Sequence, residues 1–219
     1  METKRVCLIT GAATGIGAAC AREFAAHGWQ LALSWLDDAN HVQLLDVGSG
    51  ETLNKLYTGA GPWRLVKSPD GKKMIVQNWY SETSAVVDLA TNSVDAILPV
   101  RGPSVYDPKG KLLWSQSWPA TQLQAFDAKT FKPAQQRDSE DRMVYDMAVW
   151  EGFLVKGQYD PVSKTGRRSF SDVLTLKLDD PKAFSAATPA GTSPARLVGD
   201  PTGDFLLTAN YDDRDISII

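Results

Sequence analysis

Ser68-Pro69-Asp70-Gly71-Lys72, followed by the apolar run Met74-Ile75-Val76 and closed by Asn78-Trp79, is the stretch on which the reading of this chain turns. Pro-Asp-Gly is a turn sequence, and a short apolar run after a turn reads as a buried strand. The pattern recurs. Pro108-Lys109-Gly110-Lys111 leads into Leu112-Leu113-Trp114 and ends at Ser117-Trp118; Pro201-Thr202-Gly203-Asp204 leads into Phe205-Leu206-Leu207 and ends at Asn210-Tyr211. A degenerate copy, Glu151-Gly152-Phe153-Leu154-Val155, ends at Gln158-Tyr159. Successive glycines lie about forty to fifty residues apart, the period of the blades in a β-propeller.

A second mark follows each copy: a strand that closes on Asp and a turn. Val86-Val87-Asp88-Leu89-Ala90-Thr91 and Gln124-Ala125-Phe126-Asp127-Ala128-Lys129-Thr130 carry it, as does Leu44-Leu45-Asp46-Val47-Gly48. An Asp at such a turn accepts hydrogen bonds from nearby backbone N–H groups, and the strand after it (Val94 to Val100 in the first copy) completes four strands. The expected fold is therefore mainly β: a propeller-like array of about four four-stranded antiparallel blades over residues 41–219. Its full blades fall near 62–100 and 101–136, with a third, carrying an insertion, near 143–185. The last copy lacks its Asp turn and outer strand, and the segment Val42 to Thr58 is expected to complete it.

Ser68-Pro69-Asp70-Gly71-Lys72, Val86-Val87-Asp88-Leu89-Ala90-Thr91 and Ile97-Leu98-Pro99-Val100 together resemble the YVTN family of β-propeller repeats, and more distantly WD-repeat and quinoprotein-type propellers. The resemblance implies a module that grips a small molecule or a protein at the propeller face. Asn78, Trp79, Asn210 and Tyr211 stand at equivalent strand ends and are expected to rim that face. Open blade edges also invite self-association.

Residues 1–40 read differently. Arg5 to Thr10 is a short apolar strand, Ala18 to Ala26 an Ala-rich helix and Gln30 to Trp35 a second strand, giving a Rossmann-like β-α-β segment. Between the first two lies Thr10-Gly11-Ala12-Ala13-Thr14-Gly15-Ile16-Gly17, where glycines permit a tight turn and close approach of a pyrophosphate to the helix N-terminus. This spacing resembles the N-terminal segment of the short-chain dehydrogenase/reductase family. It implies NAD or NADP as cofactor, against Thr10, Gly11, Gly15, Ile16 and Gly17, with Asp37 or Asp38 near the ribose. That family's catalytic Tyr is followed four positions later by Lys. Here Tyr57, Tyr80, Tyr106, Tyr145, Tyr159 and Tyr211 are followed by Gly61, Ser84, Gly110, Val149, Ser163 and Asp215. One β-α-β unit also supplies half of a dinucleotide site. The segment is thus expected to be an incomplete dinucleotide-binding element without dehydrogenase activity, and no catalytic residue is assigned.

Composition narrows the remaining classes. A net charge of -3 offers no broad basic surface, so nucleic acid is not an expected partner. Lys164, Arg167 and Arg168 fall in a polar insertion read as a solvated hairpin tip. Cys7 and Cys20 are the only cysteines and His27 and His41 the only histidines, with no zinc spacing, so no metal site is expected. No apolar stretch is long enough to span a membrane, and no secretory signal is visible, which reads as cytoplasmic, although YVTN-like proteins are often exported. Three functions follow: a propeller-like binding module, an NAD(P)-dependent oxidoreductase of the short-chain class, or a recombined chain without evolved activity.

Overall fold

The computed structural model describes residues 6–10, 20–23, 30–34, 40–45, 52–117, 122–138, 143–150, 153–159, 172–177, 184–200 and 202–219. They belong to two compact units, Met1–Arg101 and Gly102–Ile219.

In the first unit β1 (Val6–Thr10) runs parallel to β2 (Gln30–Ser34), which pairs antiparallel with β3 (His41–Leu45), and β3 with β4 (Thr52–Tyr57). This corrects the expected Rossmann-like opening. A parallel pair needs a crossover, and residues 20–23 within it are the only helix among the described residues. The sheet then continues as an antiparallel hairpin, so the result is one mixed sheet in the order β1-β2-β3-β4 and not a doubly wound nucleotide fold. The physical reason is edge satisfaction: the free N–H and C=O groups of β2 are met by the neighbouring hairpin. Residues 42–57, expected to complete the last blade, are thereby used in the first unit.

The second sheet of this unit is β5 (Pro62–Lys67), β6 (Lys73–Asn78), β7 (Thr83–Asp88) and β8 (Ser93–Leu98), antiparallel throughout. The second unit holds two more such blades. One is β9 (Ser104–Tyr106), β10 (Leu112–Gln116), β11 (Gln122–Asp127) and β12 (Pro133–Asp138). The other is β13 (Met143–Trp150), β14 (Phe153–Tyr159), β15 (Asp172–Lys177) and β16 (Phe184–Pro189). A three-stranded sheet, β17 (Pro194–Gly199), β18 (Leu206–Asn210) and β19 (Asp215–Ile218), follows. The chain is mainly β, and its four antiparallel sheets fall where the Pro-x-Gly repeat put them.

Each Pro-x-Gly sequence joins the first strand of a blade to the second. Gly71, Gly110 and Gly203 take φ of 71°, 62° and 87°, the left-handed region where a side chain is strained. Their N–H groups donate to the carbonyls of Ser68, Asp107 and Asp200 at 2.9, 2.9 and 3.0 Å. The side chain before the proline seals the turn. Asp107 Oδ1 accepts from the N–H of Lys111 at 2.6 Å, and Ser68 Oγ accepts from that of Lys73 at 2.9 Å.

The turns at Gly71 and Gly110 deliver a second strand that is covered on both faces: Met74 through Asn78 in β6 and Leu113 through Gln116 in β10 are all buried. In the first unit Met74, Val76, Ala85 and Val87 pack with Val42. In the second, Trp114, Leu123 and Ala125 meet Val144, Met147, Leu154 and Leu176 of the next blade, and Ala148, Val155 and Val173 meet Leu197 and Leu206 of the last. Each fully buried large aliphatic side chain contributes roughly 1.5–3 kcal/mol. In the second unit β13 lies against both β9 and β17, while β12 is exposed.

Gln77 is an exception to this apolar packing. It is fully buried, in register between Arg64 and Ser84, and among the described residues neither atom of its amide has a hydrogen-bond partner. Gln77→Leu, close in volume, is expected to stabilise the protein by about 1–2 kcal/mol, because an unmet buried amide is removed. Urea unfolding measures this; a lowered midpoint would show that the amide is satisfied in solution.

Candidate functional site

In the β5–β8 and β17–β19 sheets, the end where the second strand turns into the third is built by an asparagine. Asn78 pairs with Pro62 across β5 and β6, with a register shift before Arg64; Asn210 pairs with Pro194 across β17 and β18, with the same shift before Arg196. Positive φ recurs at matching places, Gly61 and Ser193 on one side and Glu82 and Arg214 on the other. In the first unit Asn78 Nδ2 donates to the Thr58 carbonyl at 2.7 Å, and Asn78 Oδ1 accepts from Thr58 Oγ1 at 3.3 Å. In the second, Asn210 Nδ2 donates to Asp215 Oδ1 at 2.7 Å and Ser217 Oγ at 2.8 Å, and Oδ1 accepts from Thr208 Oγ1 at 2.9 Å.

Both amides are therefore engaged, Asn78 by the loop before its blade and Asn210 within its own sheet, and both residues are buried. Asn78 and Asn210 hold the strand end in place; the residues after them reach solvent. Trp79 N–H donates to the Gly61 carbonyl at 2.8 Å and Tyr211 N–H to that of Ser193 at 3.0 Å, which leaves the rings 36% and 64% exposed. A glycine lies against each asparagine. A Cβ on Gly59 would come within 2.8 Å of Asn78 Nδ2, and one on Gly191 would collide with Asn210 Nδ2. The signal that gives this away is Gly59-Ala60-Gly61-Pro62-Trp63-Arg64-Leu65-Val66 beside Gly191-Thr192-Ser193-Pro194-Ala195-Arg196-Leu197-Val198. It precedes the Pro-x-Gly turn in both sheets.

The first unit adds an aromatic and charged cluster to this end. Trp63 meets Trp79 edge-on, with ring centroids 5.9 Å apart and planes at 86°. The Arg101 guanidinium lies 5.2 Å from the Trp79 ring centroid, and its Nη1 is 2.8 Å from Glu82 Oε1. Tyr80, 66% exposed, folds its ring over Gly61. Edge-on aromatic pairs contribute roughly 0.5–1.5 kcal/mol beyond their burial, and exposed cation–π pairs about 0.5–1 kcal/mol. In the second unit Tyr211 is followed by acidic residues that serve the turn: Asp212 Oδ2 accepts from Ser193 Oγ at 2.5 Å and Asp213 Oδ2 from the Thr192 N–H at 2.6 Å.

Of the expected cofactor residues, Thr10 ends β1, while Gly11, Gly15, Ile16, Gly17 and Asp37 lie outside the described residues, as do Trp118, Lys164, Arg167 and Arg168. Among the described residues no group of His, Cys, Asp and Glu is arranged to hold a metal ion, and no helix is long and apolar enough to cross a membrane. Sequence reasoning also missed a buried acid and base in the second unit. Asp146 sits at a register shift in β13 and accepts from the N–H of Met147 at 2.8 Å and of Leu197 at 3.1 Å, tying β13 to β17; Lys156 is fully buried in β14.

The shifted carboxyls lie at blade turns. Lys73 Nζ, 2.6 Å from Asp88 Oδ2, and then the N–H groups of Thr91 and Ala90 hold Asp88 far below the usual carboxylate range. Asp127 is lowered by the N–H and hydroxyl of Thr130 and the N–H of Lys129, and Asp200 chiefly by the Thr202 hydroxyl. Lys73 is raised by Asp88 and Asp95. These contacts clamp the turns in which the carboxyls lie.

The fold and its repeated blade ends define a β-propeller-like protein. No protein-family model and no curated protein matches the chain, so neither the YVTN nor the short-chain dehydrogenase resemblance gains a family match. Solved structures do match. A chain in the crystal structure of the mitotic checkpoint complex superposes with a TM-score of 0.68 at 13% identity, over 82% of this chain and 58% of that one. The present chain thus spans just over half of that one. Hydrazine synthase of Kuenenia stuttgartiensis matches with a TM-score of 0.57 at 12% identity, over 100% of this chain and 97% of that one. Likeness at such identities is likeness of fold.

The turn carboxyls make stability depend on pH. Their folded pKa values lie below the unfolded value of about 3.9, so their contribution is complete above that value and is lost as pH falls through the folded pKa. The melting temperature is expected to drop on acidification below about pH 4. Asp88→Asn, which keeps the turn acceptor but not the charge, should melt lower at neutral pH and show a shallower acid decline. Parallel declines for the two proteins would reject the clamp role of Asp88.

Proposed function

We propose that the protein is a propeller-like binding module, of YVTN-like repeat type, that receives an extended peptide segment of a partner protein at the aromatic end of the β5–β8 blade. Trp79, Tyr80 and Arg101 are the contact residues, Tyr211 is the corresponding contact in the second unit, and Asn78 and Asn210 are positioning residues. The observation that carries this reading is the Trp63–Trp79–Arg101–Glu82 cluster, because exposed aromatic rings and arginine are the side chains that concentrate binding energy. The rings offer flat apolar faces, Glu82 accepts and Arg101 donates, which together suit the alternating polar and apolar groups of a peptide. The group contains no nucleophile with a base beside it, so the chemistry it supports is recognition.

Peptides selected from a displayed random library against the whole chain should lose affinity about tenfold or more on Trp79→Ala, and similarly on Arg101→Ala. Selected peptides that bind the Trp79→Ala/Tyr80→Ala protein as tightly as the original would remove the site from consideration, provided both proteins melt alike.

A second reading keeps the short-chain dehydrogenase resemblance, and the parallel pairing of β1 with β2 favours it. In that reading Gly11, Gly15, Ile16 and Gly17 cradle the pyrophosphate of NAD or NADP, with Asp37 at the ribose. The chain lacks the family's Tyr and Lys spacing, so the expected outcome in calorimetry with NADH and NADPH is weak binding at most, with no carbonyl reduction. Turnover that disappears on Gly17→Val would replace the binding-module reading with an oxidoreductase.

A further inference from the structure

Arg101 and Glu82 form an ion pair at the aromatic end of the β5–β8 blade, but the two partners are held very differently. Arg101 Nη1 lies 2.8 Å from Glu82 Oε1, and the side chains are 19% and 65% exposed. The arginine is fixed from two sides. Val100, fully buried, accepts from Ser84 Oγ at 2.9 Å, which anchors the backbone just before it, and the guanidinium rests 5.2 Å from the Trp79 ring centroid. Trp79 is itself braced edge-on by Trp63.

Glu82 stands in the exposed turn between β6 and β7, in the left-handed region at a φ of 56°. The matching place in the last sheet, at a φ of 60°, is taken by Arg214. That turn geometry therefore does not call for an acid. A pair with one partner in water contributes at most about fivefold to an equilibrium, so a second carboxylate exchanges with Glu82 readily. The positioned guanidinium suits such a carboxylate, since its planar fork can donate two parallel N–H bonds. A cation, by contrast, would reach Glu82 only beside the charge of Arg101.

We propose that Glu82 is a built-in substitute for the ligand: the partner segment presents an aspartate or glutamate side chain that displaces Glu82 from Arg101. This rests on the peptide-binding reading above and gives it a chemistry, an acidic segment, together with an intramolecular competitor. The exposed rings of Trp79 and Tyr80 are left for apolar residues flanking the acid, which places the carboxylate within the segment and not at its end. Glu82, once released, accepts from a backbone N–H of the segment.

Peptides selected from a displayed random library against the whole chain, then synthesised with amidated C-termini, test this. They are expected to carry Asp or Glu, and replacing that residue by Asn or Gln should weaken binding about fivefold or more. Glu82→Gln keeps an acceptor and removes the charge, so acidic peptides should bind this variant about two- to fivefold more tightly at low salt, with the neutral analogues unchanged. On an Arg101→Gln background the same substitution should give no gain. Glu82→Gly, which suits the left-handed backbone, repeats the measurement if the glutamine variant melts lower. Three results overturn the displacement while leaving the binding module in place: Trp79-dependent peptides without an acid, acidic peptides indifferent to Glu82→Gln, or a gain that persists without Arg101 and so reflects general repulsion. Absence of any Trp79-dependent peptide removes both readings.

Discussion

The second strands β6 and β10 have no solvent-facing side. Residues of both parities are buried, so every backbone group must be met by the strand on either hand and every side chain by a neighbouring sheet. A strand so placed tolerates no slip, since a shift of one residue would exchange its two faces. The turn before it sets the register. Left-handed glycines at 71, 110 and 203, with Ser68, Asp107 and Asp200 binding backbone N–H groups, place the strand start to the residue. The rest of the architecture follows from repeating that device.

The other end of the strand is held by side chains. Asn78 and Asn210 use their amides to bind the neighbouring loop and the next strand, and glycines at 59 and 191 let that loop approach. With the polar group engaged inward, the following aromatic is turned outward. Recognition and folding are thus coupled at adjacent positions: the buried asparagine sets where the ring of Trp79 or Tyr211 lies. Charge is treated likewise. Asp88, Asp127 and Asp200 are stabilised as carboxylates by turn N–H groups and nearby donors, which explains their low pKa values without a catalytic role.

The blades were legible because their signals are local. Pro-x-Gly followed by an apolar run needs only neighbouring residues to become a turn and a strand, and an Asp followed by small polar residues needs only its own backbone to form a hairpin. Asn78 and Asn210 were legible as equivalent strand ends, but their burial was not, because their partners, Thr58 in the loop after β4 and Ser217 in β19, come from elsewhere in the chain. The cluster of Trp63 and Arg101 around Trp79 was invisible for the same reason: its members are brought together across β5, β6 and the end of β8.

The amino-acid order alone determined that the chain is built of antiparallel blades, where each begins, and that the short-chain dehydrogenase catalytic pair is missing. These rest on interactions within a few residues. Tertiary structure decided that the hairpin at 41–57 joins β1 and β2, and that the asparagines face inward while the aromatics face out. Each of those outcomes depends on which distant backbone satisfies a strand's unpaired groups, and spacing along the chain does not encode that choice.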